Sequence, residues 1–565
     1  MKKYSIMTRW SALCLAVAMI LQGCTNTGHS ATTEVPIDDI ESLFDASFEA
    51  KTSTILSEKE AQRKNVSFAT VREPNRKLAL MAKDGKTGLQ PFYLKGIECG
   101  FWDTRRGGSA DYDKVFGAYN KMGANTVMFM IHWSDIEPQD GEFDFSYTDS
   151  IVETAKNHDL KIVWILFMHE QFDMPFLADP EAQWMYNLDT RDGDNYAIQW
   201  VKYGDGDISK DIATQRAKND SEIMPCYSHP EIYRRIIRML GRLSERYADS
   251  GTVIGVQIGN EEHFSYQGED ADYNPYTLAL FDKWKEQTGD TSWTRFKMDM
   301  VNAWFSHFTT VWHQHAPYQI TMINPIGGTP EKGEKGIIDK TGTDATTFRD
   351  SKVDAIATMF YGTSAGKVWK NLDQVYNDNN TYSYPTRLPM LISTEIGIRA
   401  HTLPVTQEYM TNFIERGSPG FAVFSYGSVG NREGEINEAG VFFKNYMAMV
   451  TANEDIIWPG LPGTGENISI TATYGEGKVS CLHNGDDATL GILHFPDDIS
   501  DQVGERRTDI PVQIIAQNAG EYAIDVYKDG NLTASYKENL ISGKGRVVFI
   551  DLSNKEAAFI KVTKQ

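Results

Sequence analysis

The sequence predicts an α/β fold: a (β/α)8 TIM barrel followed by a smaller all-β sandwich domain. Between about residue 90 and residue 450, short apolar runs alternate with amphipathic helical patterns, which is typical of a parallel sheet. Two of these runs deliver a glutamate, Glu261 and Glu395, to the place where the strand stops. In a barrel, that end of the strand is where chemistry is done. After Pro459-Gly460 helical periodicity disappears and short alternating strands follow.

Eight runs qualify as barrel strands because they are short, apolar and rich in β-branched residues, as strands buried on both faces are. They cover residues 93–99, 126–131, 162–168, 253–259, 319–323, 355–361, 390–394 and 421–425. The clearest helix is predicted from Pro230 to Ala248, with Ser228 as its N-cap. A doubly wound open sheet is the alternative, but it requires a Gly-rich phosphate loop after an early strand, and Gly107-Gly108 makes only a flexible turn.

The N-terminus has the pattern of an export signal. Lys2, Lys3 and Arg9 precede an apolar run that ends in Leu21-Gln22-Gly23-Cys24, which resembles a bacterial lipobox. We therefore expect cleavage before Cys24 and a lipid on its thiol, with an ordinary secretory peptide as the alternative. The protein would be exported and anchored to a bacterial membrane by lipid alone, with the periplasmic or cell-surface face left open.

This signal and the change of pattern near residue 460 divide the chain. The predicted parts are a lipoprotein signal peptide, a polar tether, the catalytic barrel and the β-sandwich, over residues 1–23, 24–75, 76–460 and 461–565.

Composition restricts the partners. The formal net charge of -22 disfavours nucleic acid, and 12% aromatic residues suit a sugar-binding cleft as well as a large core. Cys99, Cys226 and Cys481 form neither a disulfide framework nor a zinc pattern, and His313 and His315 have no acidic partner at metal spacing. We expect no metal and no organic cofactor. The expected partner is an oligo- or polysaccharide substrate, and the oligomeric state stays open.

Two carboxyl groups facing one bond are the minimal equipment for cutting a glycosidic linkage. One must protonate the leaving oxygen, and in a retaining enzyme the other attacks the anomeric carbon. Glu261 and Glu395 are the candidates, and the amide of Asn260 is placed to donate to the sugar 2-OH. Glu262 is the alternative to Glu261 as the acid, but the alternation of strand side chains favours Glu261.

Three stretches resemble the clan A glycoside hydrolases, and most of all the β-galactosidase families 35 and 42. They are Trp133-Ser134-Asp135-Ile136-Glu137-Pro138-Gln139-Asp140-Gly141-Glu142-Phe143-Asp144-Phe145, Gln257-Ile258-Gly259-Asn260-Glu261 and Leu391-Ile392-Ser393-Thr394-Glu395. The resemblance covers roughly residues 90 to 450. It implies that Glu261 is the acid/base, that Glu395 is the nucleophile, and that Tyr361, which closes the sixth strand, hydrogen-bonds the nucleophile. It departs from those families after Glu261, where Glu262-His263 follows, and at the end of the third strand.

Further candidates stand at strand ends. Glu98, His132, Trp133 and His169 are expected to contact substrate, with core packing as the equal alternative. Glu137 is expected to pair with backbone or an arginine at the rim. The long connection over residues 169–229 is rich in aromatic residues, which predicts walls of a sugar cleft.

The leading hypothesis is a retaining β-glycosidase, most like a β-galactosidase, acting on polysaccharide-derived sugars. An endo-β-glucanase or mannanase of the same clan is the second hypothesis. A catalytically inactive sugar-binding lipoprotein is the third. A retaining mechanism predicts carboxyl groups about 5–5.5 Å apart, whereas about 6.5–9.5 Å would indicate inversion.

Overall fold

The computed structural model describes residues 49–75, 77–84, 88–99, 111–168, 226–260, 272–324, 352–357, 359–361, 388–472, 478–494, 506–553 and 556–565. These residues form a parallel barrel, a small sheet beneath it and a C-terminal β-sandwich. No helix among them is long and apolar enough to cross a membrane.

A short helix and a three-stranded antiparallel sheet precede the barrel. They are α1 (Glu58–Lys64), β1 (Phe68–Arg72), β2 (Leu78–Asp84) and β3 (Gly88–Phe92), with strand order β1-β2-β3. Ser57 caps α1 in a capping box with Glu60, and Asn65 ends it in a left-handed conformation. The expectation that residues 24–75 are a tether is therefore wrong for residues 58–72, which are folded.

Eight parallel strand positions make up the barrel. The strands are β4 (Leu94–Cys99), β5 (Thr126–His132), β6 (Lys161–Phe167), β7 (Val253–Asn260), β8 (Ile320–Asn324), β9 (Ala355–Ile356), β10 (Met359–Phe360), β11 (Met390–Leu391), β12 (Ser393–Gly397) and β13 (Gly420–Phe424). The sixth position is split into β9 and β10, and the seventh into β11 and β12. Because β9 pairs with β8 and β11, while β10 pairs with β12 and β13 pairs with β4, the ring closes. The predicted barrel is confirmed.

Helices cover the outside of the barrel. Within the described residues they are α2 (Tyr112–Lys121), α3 (Trp133–Ile136), α4 (Ser146–Asn157), α5 (Pro230–Tyr247), α6 (Pro275–Thr288), α7 (Trp293–His315), α8 (Leu403–Glu415), α9 (Tyr426–Val429), α10 (Glu438–Ala452) and α11 (Glu454–Ile457), with a 3-10 turn at Ala400–Thr402. The predicted helix is α5, but its N-cap is His229 rather than Ser228. The His229 side chain accepts a hydrogen bond from the backbone N–H of Glu231, and Pro230 occupies the first turn.

Alternation along the strands sorts side chains between the inside of the barrel and the layer under the helices. Met128 and Met130 of β5 belong to the inner core, whereas Val127, Phe129 and Ile131 belong to the outer one. The inner core continues into the N-terminal sheet through a set of apolar side chains. They are Phe68, Leu78, Leu80, Ala82 and Phe92. The sheet therefore closes the end of the barrel where the strands begin, and the carboxyl ends of the strands lie at the opposite end.

In the C-terminal region, the described residues form nine strands. They are β14 (Leu461–Pro462), β15 (Ile468–Ala472), β16 (Lys478–Asn484), β17 (Ala488–His494), β18 (Arg506–Ala516), β19 (Gly520–Lys528), β20 (Asn531–Leu540), β21 (Gly545–Ser553) and β22 (Ala558–Lys564). They make antiparallel sheets of six and three strands that share one apolar core, so the predicted sandwich is confirmed. The sandwich packs on the barrel, where Tyr446 of α10 meets Phe559 edge to face with ring centroids 5.4 Å apart.

Candidate active site

A β-bulge turns Glu395 toward the inside of the barrel. Ile392 packs in the inner core and Ile396 in the outer one, which strict alternation over four residues does not allow. The register of β12 against β13 shifts between Ser393 and Ile396, and this irregularity reverses the faces. Glu395 is 5% exposed, and its carboxylate meets side chains from two other strand positions.

Each oxygen of Glu395 accepts a hydrogen bond. The side-chain amide of Asn324, the last residue of β8, donates to Oε1 over 2.8 Å. The phenol of Tyr361, which follows β10, donates to Oε2 over 2.5 Å. Both donors stabilise the charged form of the carboxylate and fix the plane in which it lies. Tyr361 is 50% exposed, so the carboxylate lies within one side chain of the surface.

The same amide connects Glu395 to Asn260. Nδ2 of Asn324 also donates to Oδ1 of Asn260 over 3.1 Å, and Nε2 of Gln257 donates to that oxygen over 3.0 Å. Because two amide donors face the oxygen of Asn260, its NH2 group points the other way. Asn260 is the last residue of β7 and the neighbour of Glu261 in the chain.

Glu98 contributes a second carboxyl group to the inside of the barrel. On β4, Leu94 is in the inner core while Ile97 and Cys99 are in the outer one, so alternation directs Glu98 inward. Its side chain is 0% exposed. Burial, together with the charge of Glu395, raises the pKa of Glu98 well above its ordinary value. These two influences favour the neutral acid.

His132 and Trp133 lie on opposite sides of the barrel wall. His132 ends β5 and is buried on the inner face, two residues after Met130, and its backbone N–H donates to Asp135 Oδ2 over 3.0 Å. Trp133 packs in the outer core, and its indole N–H donates to Glu137 Oε2 over 2.7 Å. Trp133 thus takes the core-packing alternative, because one residue past His132 the side chain faces the helices, and its contact with substrate stays a prediction.

Glu137 accepts hydrogen bonds from several groups at the rim of the barrel. Its carboxylate accepts from Trp133, from the backbone N–H of Gly141 over 2.8 Å, and from Arg238 of α5. Burial raises the pKa of Glu137 more than these donors lower it. The expected pairing with backbone and an arginine is confirmed.

Three predicted site residues, Glu261, His169 and Cys24, lie outside the described residues, and so does Glu262. The separation between the two predicted catalytic carboxyl groups therefore stays a prediction. The structure brings together Glu395, Tyr361, Asn260 and Glu98, of which the first three share one hydrogen-bond network through Asn324.

Asn324 and Gln257 are the members of this network that sequence reasoning missed. A signal existed for Asn324, because Ile320, Met322 and Asn324 alternate on one face of β8 and the last of them is polar. Gln257 falls within the stretch that carries the family resemblance but received no role of its own.

His313 contacts a buried carboxylate. Its Nε2 hydrogen-bonds Asp354 Oδ2 over 2.9 Å, with both side chains buried. Asp354 also accepts from the backbone N–H groups of Ser53 and Thr321. Among the residues that the structure describes, no cluster of three or more His, Cys, Asp or Glu is arranged to hold a metal ion.

Comparisons with known proteins give one family match. The model of glycoside hydrolase family 42, described as beta-galactosidase, matches residues 106–165. Among curated proteins, none matches the chain significantly.

Three solved structures illustrate the structural likeness. A family 5 glycoside hydrolase from Bacteroides vulgatus has a TM-score of 0.47 at 12% identity, covering 91% of this chain and 94% of the other. A family 39 glycoside hydrolase from Bacteroides cellulosilyticus has 0.45 at 11%, covering 89% and 88%. A beta-galactosidase from the psychrophilic Marinomonas ef1 has 0.45 at 12%, and the chain spans 63% of its length and aligns over 66% of its own. The likeness to the β-galactosidases predicted from the motifs is thus confirmed over residues 106–165, the segment that includes α2, β5 and α4.

Proposed function

We propose that the protein is a retaining β-glycoside hydrolase, most like a β-galactosidase, acting on polysaccharide-derived β-linked sugars by double displacement. The observation that carries the proposal is that each carboxylate oxygen of Glu395 accepts a hydrogen bond, from Asn324 and from Tyr361. A nucleophile of this kind must be ionised and aimed, and the amide of Asn324 with the phenol of Tyr361 supplies both conditions.

In the first step, an oxygen of Glu395 attacks the anomeric carbon and the bond to the leaving oxygen breaks. Glu261 gives its proton to that oxygen, and a covalent glycosyl-enzyme remains. In the second step, Glu261 takes a proton from water, whose oxygen attacks the anomeric carbon and releases Glu395. The sugar leaves with its original anomeric configuration.

Asn260 supports this assignment of Glu261. Its carbonyl oxygen is occupied by Gln257 and Asn324, so its NH2 group is oriented for a partner on the opposite side. A donor beside the acid/base is suited to the 2-OH of the reacting sugar, and hydrogen bonds to that hydroxyl strengthen in the transition state. Gln257 and Asn324 thus orient Asn260 before substrate arrives.

The alternatives make different products. An endo-β-glucanase or mannanase would use the same two glutamates but release oligosaccharides from the middle of a polymer, whereas a β-galactosidase-like enzyme releases single terminal sugars. An inactive sugar-binding lipoprotein has no need for an ionised carboxylate held by two donors, which makes it the weakest of the three.

The test is a panel of aryl β-glycosides and plant polysaccharides with the mature protein and three variants. Glu395→Gln should abolish turnover, and Glu261→Gln should lose about 10²–10⁴-fold on substrates with poor leaving groups. Glu408→Gln is the matched control, because Glu408 is a buried glutamate of α8 outside the site, and it should keep wild-type activity. A 2-deoxy-2-fluoro glycoside should leave a sugar on Glu395, detected by mass spectrometry.

Two results would contradict the proposal. One is full activity of Glu395→Gln. The other is an inverted anomeric configuration of the first product, read by NMR. Product sizes from a polymer digest separate the exo-acting from the endo-acting alternative.

We also propose that the chain is exported and anchored through lipid on Cys24, as the stretch Leu21-Gln22-Gly23-Cys24 indicates. Labelling with a radioactive fatty acid should mark the wild-type protein and not Cys24→Ala. Equal labelling of both would contradict the anchor.

A further inference from the structure

Glu98 is a carboxyl group inside the barrel that the proposed mechanism does not use. It is fully buried, and among the residues that the structure describes neither of its carboxyl oxygens has a hydrogen-bond partner. A buried polar atom without a partner calls for an explanation, and a functional role is one of them. Glu98 stands at the same end of the barrel as Glu395, because both lie near the ends of their strands.

The surroundings of Glu98 disfavour its charge. The neighbouring strand β13, which pairs with β4, contributes Ala422 to the inner core, and Phe424 packs against that core. In the described part of the barrel, the titratable groups on the inner side near Glu98 include Glu395 of β12, Tyr361 after β10 and His132 at the end of β5.

The charged neighbour of Glu98 on its own strand faces away. Lys95 points outward and pairs with Glu454 over 2.5 Å. Within the described part of the chain, no lysine or arginine forms an ion pair with Glu98. A second negative charge beside Glu395 would be repelled, and burial would leave it unsolvated.

We propose that Glu98 works as a neutral acid whose O–H donates a hydrogen bond to a hydroxyl group of the sugar ring that Glu395 attacks. This inference rests on the proposed function, since it takes the sugar as the missing partner. The raised pKa of Glu98 agrees with it. A neutral acid also accepts a hydrogen bond through its carbonyl oxygen, so one group can contact two adjacent hydroxyls.

Glutamine is the isostere of a neutral glutamic acid, so it separates the two protonation states. Glu98→Gln keeps a donor and an acceptor without a charge, and we expect its kcat/KM to stay within about fivefold of wild type. Glu98→Ala removes both, and we expect a loss of about 10- to 100-fold. Equal damage in both variants would show that the charged carboxylate is needed and would overturn the proposal.

A set of monodeoxy aryl glycosides identifies the hydroxyl. Removing the hydroxyl that Glu98 contacts should weaken turnover by the wild type and by Glu98→Gln, but it should weaken Glu98→Ala no further. If every deoxy substrate loses activity equally in all three proteins, Glu98 contacts none of these hydroxyls and the proposal fails.

The pH dependence of folding gives a readout that does not require activity. Between the ordinary pKa of 4.5 and the raised pKa of Glu98, the unfolded chain has released this proton while the folded chain keeps it. The wild type should therefore lose stability as pH rises through that window, and Glu98→Gln should lack this contribution. The free energy of unfolding is measured with urea at several pH values. If it depends on pH in the same way in the wild type and in Glu98→Gln, Glu98 is ionised in the folded protein and the proposal of a neutral acid is overturned.

These outcomes keep the two proposals apart. A wild type that is inactive on every β-glycoside overturns the proposed function and, with it, the sugar partner of Glu98. An active wild type with Glu98→Gln as damaged as Glu98→Ala overturns only the role of Glu98.

Discussion

Tyr361 and Glu395 are joined by a 2.5 Å hydrogen bond between a half-exposed phenol and a nearly buried carboxylate. The ring of Tyr361 packs edge to face against Phe424, with centroids 5.5 Å apart, so its hydroxyl has little freedom to turn away. The bond therefore links the surface of the barrel to the group that is proposed to attack the sugar.

Tyr361→Phe should lower kcat by about 10- to 150-fold, because a hydrogen bond to a charged group contributes about 1.5–3 kcal/mol. KM should change little if the phenol acts on the nucleophile rather than on the bound sugar. Steady-state kinetics on an aryl glycoside measure both. Tyr446→Phe is the control, since Tyr446 is buried and hydrogen-bonds Thr411 outside the site. A rise in KM with unchanged kcat would contradict this role.

Asn324→Ala should affect two residues at once. It removes the donor to Glu395 and the donor to Asn260, so we expect kcat to fall at least about tenfold and KM to rise as Asn260 loses its orientation. The matched control is Asn453→Ala, which removes a fully buried asparagine that donates to the Met449 carbonyl far from these residues. Both variants should lose stability, and only Asn324→Ala should lose turnover. A wild-type kcat in Asn324→Ala would contradict the role of Asn324 in holding Glu395 and Asn260.

Because of the buried Lys77, the fold should become more stable as the pH rises above neutral. Its side chain is fully buried beneath the barrel, where its ammonium nitrogen lies 2.8 Å from the Ile457 carbonyl, and burial lowers the pKa of Lys77 to about 7 against the opposing charge of Glu73. Between pH 7 and 10.5 the unfolded chain holds this proton and the folded chain does not, so stability should rise with pH in that window.

The Lys77→Met variant should lack this rise. Urea unfolding at several pH values across the window measures it. Lys59→Met, at an exposed position of α1, is the control and should follow the wild type. Parallel curves for wild type and Lys77→Met would show that the buried amine stays charged.

The buried pair of His313 and Asp354 should stabilise the fold less at acidic pH. Burial alone would raise the pKa of Asp354, but the charge of His313 and the hydrogen bonds from His313, Thr321 and Ser53 hold it below the ordinary 3.8. The stability from this pair should therefore be fully present above pH 3.8 and decline as pH falls through the lowered pKa.

Asp354→Asn should destabilise the fold by about 3–5 kcal/mol at neutral pH, because it leaves His313 buried without its partner. The difference from wild type should shrink below pH 3.8. The exposed pair of His158 and Asp113 provides the comparison, and His158→Gln should change stability by less than about 1 kcal/mol. Equal effects of the two variants at neutral pH would contradict the role of burial.

Strand positions were predictable because both faces of a barrel strand are apolar. The predicted 253–259 and 126–131 correspond to Val253–Asn260 and Thr126–His132 within one residue. The sixth and seventh positions break in the middle, which the apolar runs do not reveal. The folded segment Glu58–Arg72 was missed because its charged helix has the composition of a linker.

Orientation at the strand ends was harder to predict than position. Glu395 faces inward only because a bulge reverses the alternation of β12, and no residue pattern marks that bulge. Trp133 near a strand end was expected either to contact substrate or to pack in the core, and it packs in the outer core because one step along the chain moves a side chain to the other face. Asn324 contacts two of the predicted residues, but an isolated amide carries no motif.

The junction between barrel and sandwich has a consequence for any shortened form of the protein. Leu482, Leu490, Ile492 and Phe559 of the sandwich belong to the same apolar core as the barrel helices. Ending the polypeptide at Pro459 would expose an apolar patch on α10, where Tyr446 packs against Phe559 in the whole protein. Such a fragment should aggregate or bind chaperones. A chimeric protein that takes the barrel from this chain should therefore take the sandwich with it.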